Sequence, residues 1–338
     1  MKKNGPLVSV IVTNYNGKKY LGSCLDSLMS QTYKNIEIIV ADDCSTDDSV
    51  EFVKKNFPKV KIAVNERNSG LSINSNNGAK KALGRYILFY NNDTISFPNF
   101  IEEMVKIAES NENIGVVCPI QLPYKEEDDK NMTRDQKDVG VGSDIYGEVC
   151  TAWLAGHVFY PDAAIFIRAD LFRRIGGFDQ NFFLYGEDMD LCWRVHLMGY
   201  IIKPALNAKF RHDSSCFTRE NGKVVTTYKR RHFVERQNIN KMLKYYKIST
   251  LVWILPKFAF FYALESLFFL VVLSNPKAFW EIYVKSVLWN IRNFPSTLEN
   301  RRYIQKIREV DDKYILSLMY HRYSKIKAVR ELGLPIIK

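Results

Sequence analysis

The first ninety residues alternate between short β-branched runs and segments of helical spacing, and this pattern most constrains the fold. Predicted strands at residues 7–12, 36–41, 60–64 and 86–90 alternate with predicted helices at 20–30, 49–56 and 76–83. Such alternation predicts an α/β fold with a mostly parallel sheet and helices on its faces. Sheets of this kind bind ligands beyond the carboxyl ends of their strands.

Composition divides the chain at residue 225. The formal net charge of the 338 residues is +11, but residues 226–338 carry 21 Lys/Arg and 8 Asp/Glu, so this part has a charge of +13 and the rest −2. We predict an α/β domain at 1–225 and a basic, apolar helical region at 226–338. The basic region has no zinc-finger or RNA-binding signature, so we expect no nucleic-acid partner.

Cysteine usage and the amino-terminal segment indicate a cytoplasmic protein. The six cysteines lie far apart, with no CxxC pair and no zinc-ligand spacing. The apolar run at residues 7–12 is too short for a signal peptide and is predicted to be the first strand. The charged segment 125–138 lacks an apolar period and is predicted to be a surface loop.

The segment 251–273 is aliphatic and aromatic, interrupted by Pro256, Lys257 and Glu265. Its uninterrupted part is shorter than the roughly 20 residues needed to cross a bilayer, so a span is not favoured. Aromatic residues close to many lysines and arginines predict a helix that lies on the inner face of the cell membrane. A buried helical region, a homodimer interface and a true span stay open as alternatives.

Two strand ends carry candidate ligand-binding residues. Asp42 lies in a turn rich in Ser, Thr and Asp, where an acid can accept hydrogen bonds from a ribose, or can belong to a solvated turn that caps the next helix. Residues 91–93, Asn-Asn-Asp, offer oxygen ligands of the kind that Mg²⁺ or Mn²⁺ takes, although the tripeptide is also a common turn. No GxGxxG motif follows the first strand, which argues against a nicotinamide or flavin enzyme.

A third cluster of polar residues lies in the segment GGFDQNFFLYGEDMDLCWR. Glu187, Asp188 and Asp190 follow an aromatic cluster at what we predict to be a helix start. Acids at a helix start can simply be stabilised by its dipole, but a carboxylate beside aromatic residues can also serve as a general base toward a hydroxyl. His212, between Arg211 and Asp213, is either a surface residue or a ligand.

In their order along the chain these motifs resemble one family. VSVIVTNYNG, EIIVADDCSTDDS, the segment ending in YILFYNNDT, GGFDQNFFLYGEDMDLCWR and a downstream histidine are similar to the family 2 glycosyltransferases, in particular to rhamnosyl- and galactofuranosyltransferase-like members, over about residues 7–246. The resemblance implies a GT-A fold, which is Rossmann-like. It also implies a metal-dependent, inverting glycosyltransferase that uses Mg²⁺ or Mn²⁺ to move a sugar from a nucleotide diphosphate sugar to a hydroxyl of a glycan or lipid-linked acceptor.

The resemblance also assigns roles by position. It implies nucleoside contacts by Thr13, Tyr15 and Asp42, and a donor pocket shaped by Asn68, Gly70 and Asn76. It implies that Asn91, Asn92 and Asp93 form the motif beside the diphosphate, that Asp93 and His212 are metal ligands, that Asp188 is the base and that Glu187 binds the acceptor. Asn91 occupies the place of the family's first aspartate, and Asp162 stands where relatives often have glycine.

Two other functions stay open at this point. One is a non-catalytic GT-A-like binding module, which would have little reason to combine Asp93, Asp188 and His212. The other is a nucleotidyltransferase, which should carry a glycine-rich, basic loop near the first strand. TNYNGKKY is a poor version of such a loop.

Overall fold

A computed structural model describes residues 5–125, 140–151, 158–213, 219–220 and 223–338. Of these, residues up to 141 and residues 158–213 belong to one compact unit, and residues 142–150 and 223–338 belong to a second. The second unit thus includes a short segment that lies well before the predicted boundary at 225. The predicted loop at 125–138 lies, after its first residue, outside the described residues.

The first unit is built on an eight-stranded sheet in the order β3-β2-β1-β4-β9-β6-β10-β5. Strands β1 to β4 are parallel neighbours, β9 is antiparallel to β4 and β6, and β5 is antiparallel to β10. The predicted mostly parallel sheet is confirmed. The described strands are β1 Val8–Asn14, β2 Ile36–Asp42, β3 Lys61–Val64, β4 Tyr86–Asn91, β5 Thr94–Ser96, β6 Ile114–Pro123, β7 Val141–Ser143, β8 Val149–Thr151, β9 Ala164–Arg168, β10 Ile201–His212, β11 Arg219–Glu220, β12 Lys223–Thr226 and β13 Ile336–Ile337.

Helices cover both faces of this sheet, which is why its central strands are continuous apolar runs. Every residue of β1 is buried. The described helices are α1 Lys18–Met29, α2 Ser49–Asn56, α3 Leu71–Ala79, α4 Phe100–Ala108, α5 Ala169–Arg174, α6 Glu187–Leu197, α7 Tyr228–Tyr245, α8 Ile248–Leu267, α9 Pro276–Ala278, α10 Lys285–Arg292, α11 Phe294–Ile307, α12 Asp312–Ser317 and α13 Ser324–Leu332, with π-helical segments at Phe268–Val272 and Phe279–Val284.

The second unit is helical and has a charged interior. The Lys325 ammonium on α13 lies 2.5 Å from a carboxylate oxygen of Glu235 and 3.0 Å from one of Glu265, which ties α13 to α7 and α8. The buried Asp144 carboxylate accepts hydrogen bonds from the Ser324 N–H at 2.9 Å and hydroxyl at 2.8 Å, so it caps α13. Buried ions of this kind persist only where each is paired.

One helix in the second unit is long and apolar. Residues Ile248–Val272 form 25 continuous helical residues with a mean hydropathy of 1.7 in their most apolar window, enough by length and composition to cross a membrane. Our expectation that the apolar segment is too short for this is wrong, because the helix continues through Pro256 and Lys257. About 28% of that window is buried.

Candidate active site

The residues predicted at the ends of β1, β2 and β4 meet at one edge of the sheet. The strand register pairs Asn14 with Asp42 and Thr13 with Asn91. Thr13 is buried, whereas the Tyr15 side chain just beyond the strand is 51% exposed. The edge therefore combines buried polar groups with an accessible aromatic ring.

Asn14 links the two strand-end motifs, and sequence reasoning missed it. Its amide nitrogen donates to the Asp42 carboxylate at 2.7 Å, and its amide oxygen accepts from the Asn92 side chain at 2.6 Å. Gly17 makes this possible, since a Cβ there would lie 1.8 Å from the Asn92 amide nitrogen. The sequence signal for this role was an asparagine in the last position of a mostly apolar strand.

The two neighbouring acids of the β2 turn have different internal partners. Asp42 is fully buried, and besides Asn14 it accepts from the Ser45 N–H at 2.8 Å and hydroxyl at 2.6 Å. Asp43, the second acid of this turn, accepts from the N–H groups of Ser69 at 2.9 Å and Gly70 at 2.8 Å. Asp42 orders the strand ends, and Asp43 fixes the loop that precedes α3. Direct contact of Asp42 with a nucleoside stays a prediction.

The predicted donor-pocket residues join α3 to the segment that precedes α6. Gly70 has a φ of +89°, and its carbonyl-side neighbour Leu71 donates its N–H to the Phe183 carbonyl at 2.8 Å. The Asn76 amide bonds to both backbone groups of Phe178, at 2.8 and 2.9 Å. Asn68 is exposed on the connecting loop. Gly70 and Asn76 thereby position the chain that carries Glu187 and Asp188.

Strand pairing places Asp93 beside His212. β5 pairs with the end of β10 so that Thr94 lies opposite His212, and the Nε2 of His212 is 3.3 Å from a carboxylate oxygen of Asp93. Burial alone would lower the pKa of His212, but the hydrogen bond and charge of Asp93, together with Asp162 and Asp213, raise it above its usual value. The fold therefore brings Asp93 and His212 together, and their role as metal ligands stays a prediction.

The acids at the start of α6 have separate environments. Asp190 is fully buried and forms an ion pair with Arg194 at 2.8 Å, so its role is internal. Glu187 is buried, whereas Asp188 is partly exposed. Burial, followed by the charges of Glu187 and Asp162, raises the pKa of Asp188 well above its usual value. Asp188 is thus the acid of this segment suited to exchange a proton with a ligand.

Asp162 connects the two groups of acids. It precedes β9, whose Ala164 lies opposite Tyr90 near the end of β4, and the carbonyl of its neighbour Ala163 accepts from the Asn91 N–H at 3.2 Å. Its charge raises the pKa of both Asp188 and His212. Asp162 is therefore near enough to both residues to influence their charge. The sequence signal for Asp162 was an aspartate where related sequences often have glycine.

The Asp93–His212 pair fits a divalent cation. Ligands at about 2.1 Å from one octahedral ion lie about 3 Å from each other, close to the 3.3 Å between the two side chains. Within the described residues no group of three or more His, Cys, Asp or Glu could hold a metal. Mg²⁺ is commonly held by one or two protein ligands together with water and substrate phosphates, so two ligands suffice only with a phosphate-bearing ligand.

Comparison with known proteins identifies the family. The glycosyl transferase family 2 model matches residues 9–176. The putative glycosyltransferase EpsE of Bacillus subtilis is 30% identical over 228 residues, which are 64% of this chain and 77% of EpsE. The chain belongs to glycosyl transferase family 2. An uncharacterized glycosyltransferase of Rickettsia prowazekii is 30% identical to this family 2 member over 205 residues, and the match spans 57% of this chain and 60% of that relative.

Solved structures of glycosyltransferases share the fold. A structure of GalNAc-T7 with UDP, GalNAc and Mn²⁺ has a TM-score of 0.57 at 15% identity and covers 73% of this chain and 49% of GalNAc-T7. Staphylococcus aureus TarS 1–349 in complex with UDP-GlcNAc has a TM-score of 0.50 at 20% identity and covers 71% of this chain and 67% of that one. These likenesses confirm the predicted GT-A fold.

Proposed function

We propose that this family 2 member is a metal-dependent, inverting glycosyltransferase that moves a sugar from a nucleotide diphosphate sugar to a hydroxyl of a glycan or lipid-linked acceptor. The observation that carries the proposal is the pairing of Asp93 with His212 at 3.3 Å, beside the sheet edge that also holds Thr13, Asp42 and Asn91. The charge of Asp162 also raises the pKa of both His212 and Asp188. A proton acceptor and a pair of metal-type ligands then serve one reaction centre.

Asp188 is the proposed general base. A base is most effective when its pKa lies near the working pH, and burial with the Glu187 and Asp162 charges moves the pKa of Asp188 upward, in that direction. The acceptor oxygen bonds to the anomeric carbon and gives its proton to Asp188, while the bond from that carbon to the diphosphate oxygen breaks. A single displacement of this kind inverts the configuration. Glu187, buried beside the base, is the proposed acceptor-binding residue.

Asp93 and His212 would hold the Mg²⁺ or Mn²⁺ ion, with Asn91 and Asn92 beside it at the strand end. When bound, such an ion neutralises charge that develops on the leaving diphosphate. Asn92 is fixed by its hydrogen bond to Asn14 at 2.6 Å, so the residues beside the diphosphate are held before the donor arrives.

The donor is proposed to bind at the edge formed by β1 and β2. The exposed Tyr15 ring can stack on a nucleobase, and Thr13 and Asp42 lie at the neighbouring strand ends. Among the solved neighbours, GalNAc-T7 carries UDP and TarS carries UDP-GlcNAc, which supports a nucleotide-sugar donor.

The deciding experiment is a thermal-shift screen of UDP, dTDP and GDP sugars with Mg²⁺ or Mn²⁺, followed by an assay for nucleoside diphosphate release with candidate acceptors. A ligand at 100 times its dissociation constant stabilises the fold by about 2.7 kcal/mol. Stabilisation that needs the metal, together with acceptor-dependent release that Asp188→Asn abolishes, is expected. If no nucleotide sugar stabilises the protein with either metal, the proposal is wrong.

The same screen separates the two other functions. A binding module would be stabilised by a nucleotide sugar but would release no nucleoside diphosphate with any acceptor. A nucleotidyltransferase would instead consume a nucleoside triphosphate and a sugar phosphate and release pyrophosphate. Neither outcome is expected here.

A further inference from the structure

A helical hairpin in the second unit has an unusually apolar surface. Its first arm is the helix Ile248–Val272 and its second arm comprises residues 276–292, joined by a turn at 273–275. The hydroxyl of Tyr262 in the first arm donates to the carbonyl of Tyr283 in the second at 3.0 Å, so the arms pack side by side. Many large apolar side chains elsewhere on the two arms are exposed over 37–70% of their area.

A cluster of exposed apolar side chains surrounds the turn that joins the arms. Val271 and Val272 are 69% and 64% exposed. We call the exposed apolar side chains around this turn the apolar tip: Leu267, Phe268, Val271, Val272, Leu273 and Trp280. Soluble monomers rarely expose so many large apolar side chains in one place, and such patches mark protein or membrane contacts.

Exposed apolar residues also extend along the first arm. Trp253, Phe260, Leu264 and Val271 are exposed and follow one another at spacings of four or seven residues, so they share one side of the helix. The polar residue within this stripe is Lys257, whose ammonium lies 4.9 Å from the Trp253 ring. An apolar stripe with a tryptophan and a lysine is typical of helices that lie in a membrane interface.

The most exposed charged side chains of the hairpin are all basic. The stretch 248–298 is fully described, and its two acids are both paired: Glu265 with Arg231 and Lys325, and Glu281 with Lys285. The Glu265 side chain is 19% exposed and the Glu281 side chain 33% exposed. The exposed basic residues of this stretch are Lys257, Lys277, Lys285 and Arg292.

Basic residues also lie at the tip. The Lys277 ammonium is 4.8 Å from the Tyr228 ring, and the Asn275 amide donates to the Tyr228 hydroxyl at 3.3 Å, so the turn packs on the first residue of α7. The next residue of α7, Lys229, is exposed. The apolar tip can contact lipid acyl chains while the lysines at its base contact anionic headgroups.

We propose that this hairpin docks the protein on an anionic lipid bilayer, with the apolar tip and the stripe of the first arm inserted among the headgroups. Lys257, Lys277 and Lys229 then lie at the level of the lipid phosphates, and Trp253 and Trp280 lie at the interface, where tryptophan is enriched. The inference does not depend on the proposed transfer reaction.

The charge pattern favours a bilayer over the other occupants. In a two-fold dimer the same surface would face itself. Lys257, Lys277 and Arg292 would then meet few carboxylates, because Glu265 is largely buried and Glu281 is already paired with Lys285. A membrane span would take Glu265, with Arg231 at 2.9 Å and Lys325 at 3.0 Å, into the hydrocarbon. Surface docking leaves this ion network inside the protein and covers the apolar residues alone.

The test is sedimentation of the full chain with vesicles of phosphatidylcholine alone or with 30% phosphatidylserine, at low and high salt. Two variants are compared with the unchanged protein: Val271→Asp/Val272→Asp at the tip, and Val329→Asp/Leu332→Asp on α13, where both side chains are also exposed. The control pair loses the same number of apolar side chains and gains the same charge. Circular dichroism establishes that each variant is folded.

Binding to the anionic vesicles is expected to be at least tenfold tighter than to neutral ones and to weaken with salt, since each basic residue near the surface contributes a factor of about five. The tip variant should bind at least thirtyfold more weakly and the control should bind within about twofold of the unchanged protein. Protein that stays in the supernatant, or a tip variant that binds as the control does, overturns the proposal. So does a dimer in analytical ultracentrifugation that only the tip variant dissociates, because the occupant is then a second copy.

Discussion

Gly70→Ala tests whether the loop before α3 positions the proposed base. Gly70 has a φ of +89° and a ψ of 165°, a conformation that is essentially restricted to glycine. A Cβ there would lie 2.5 Å from the Phe183 carbonyl oxygen and 2.8 Å from the Phe183 Cα. Both atoms belong to the backbone, so the contact can be relieved only by moving the chain, and Phe183 is four residues before Glu187.

The size of the effect follows from these two features. The backbone conformation costs about 1–3 kcal/mol for alanine. The overlap with Phe183 adds about 1–3 kcal/mol, so we expect the free energy of unfolding to fall by about 3 kcal/mol. Relieving the overlap needs a shift of about 0.5–1 Å in the segment leading to Asp188, and a misplacement of that size can lower a rate about a hundredfold.

The measurements are urea unfolding and the steady-state rate of sugar transfer. Gly22→Ala is the matched control, because Gly22 lies inside α1 and a Cβ there would meet only the Phe52 ring, at 3.6 Å. This control should be stabilised by about 0.5–1 kcal/mol and keep its rate. If Gly70→Ala unfolds within about 0.5 kcal/mol of the unchanged protein and transfers sugar at the same rate, the positioning role of the loop is refuted.

Three further outcomes are expected at the site. Asp188→Asn should fold and bind donor but lose transfer by about 10²–10⁴-fold, as measured by nucleoside diphosphate release, since an amide cannot take the acceptor's proton. Asp93→Ala and His212→Ala should each raise the metal concentration needed for donor binding, and unchanged metal titrations of both would contradict the proposed ligands. Asp188 acts only when deprotonated, so activity falls as the pH drops through its raised pKa. Asp162→Asn removes one charge that raises this pKa and should move the acid limb of kcat/KM to lower pH, whereas an unmoved limb would separate Asp162 from Asp188.

The sheet and the strand-end residues could be predicted because their signal is local. A buried parallel strand needs a continuous apolar run, and a helix between two such runs needs apolar residues at helical spacing. Predicted helix 49–56 is α2, and predicted strand 86–90 is β4 short of its last residue. The carboxyl ends of parallel strands meet at one edge, so Thr13, Asp42 and Asn91 could be brought together without coordinates.

The contacts that complete the site could not be predicted, because they join distant parts of the chain. Helix α3 begins at Leu71, five residues before its predicted start. Its buried residues include Ser72, Asn74 and Ser75, so the helix shows no apolar period in the sequence. The bonds of Asp43 to the Ser69 and Gly70 N–H groups have no local pattern either. Asp162 could be noted as unusual, but its influence on Asp188 and His212 needs the pairing of β9 with β4.

The charge of the carboxyl-terminal third likewise could not be interpreted from the sequence alone, because a count does not show which cations are paired inside the protein. A count of +13 treats every lysine and arginine as available to an anionic surface. In the structure Arg231 and Lys325 neutralise Glu235 and Glu265 inside the second unit, and Arg308 pairs with Asp312 at 2.6 Å between nearly buried side chains. These cations contribute little field outside the protein, because their charge is matched within a few ångströms. The field that a bilayer would meet therefore comes from the exposed lysines and arginines of the hairpin and its surroundings, and depends on their position rather than on the total.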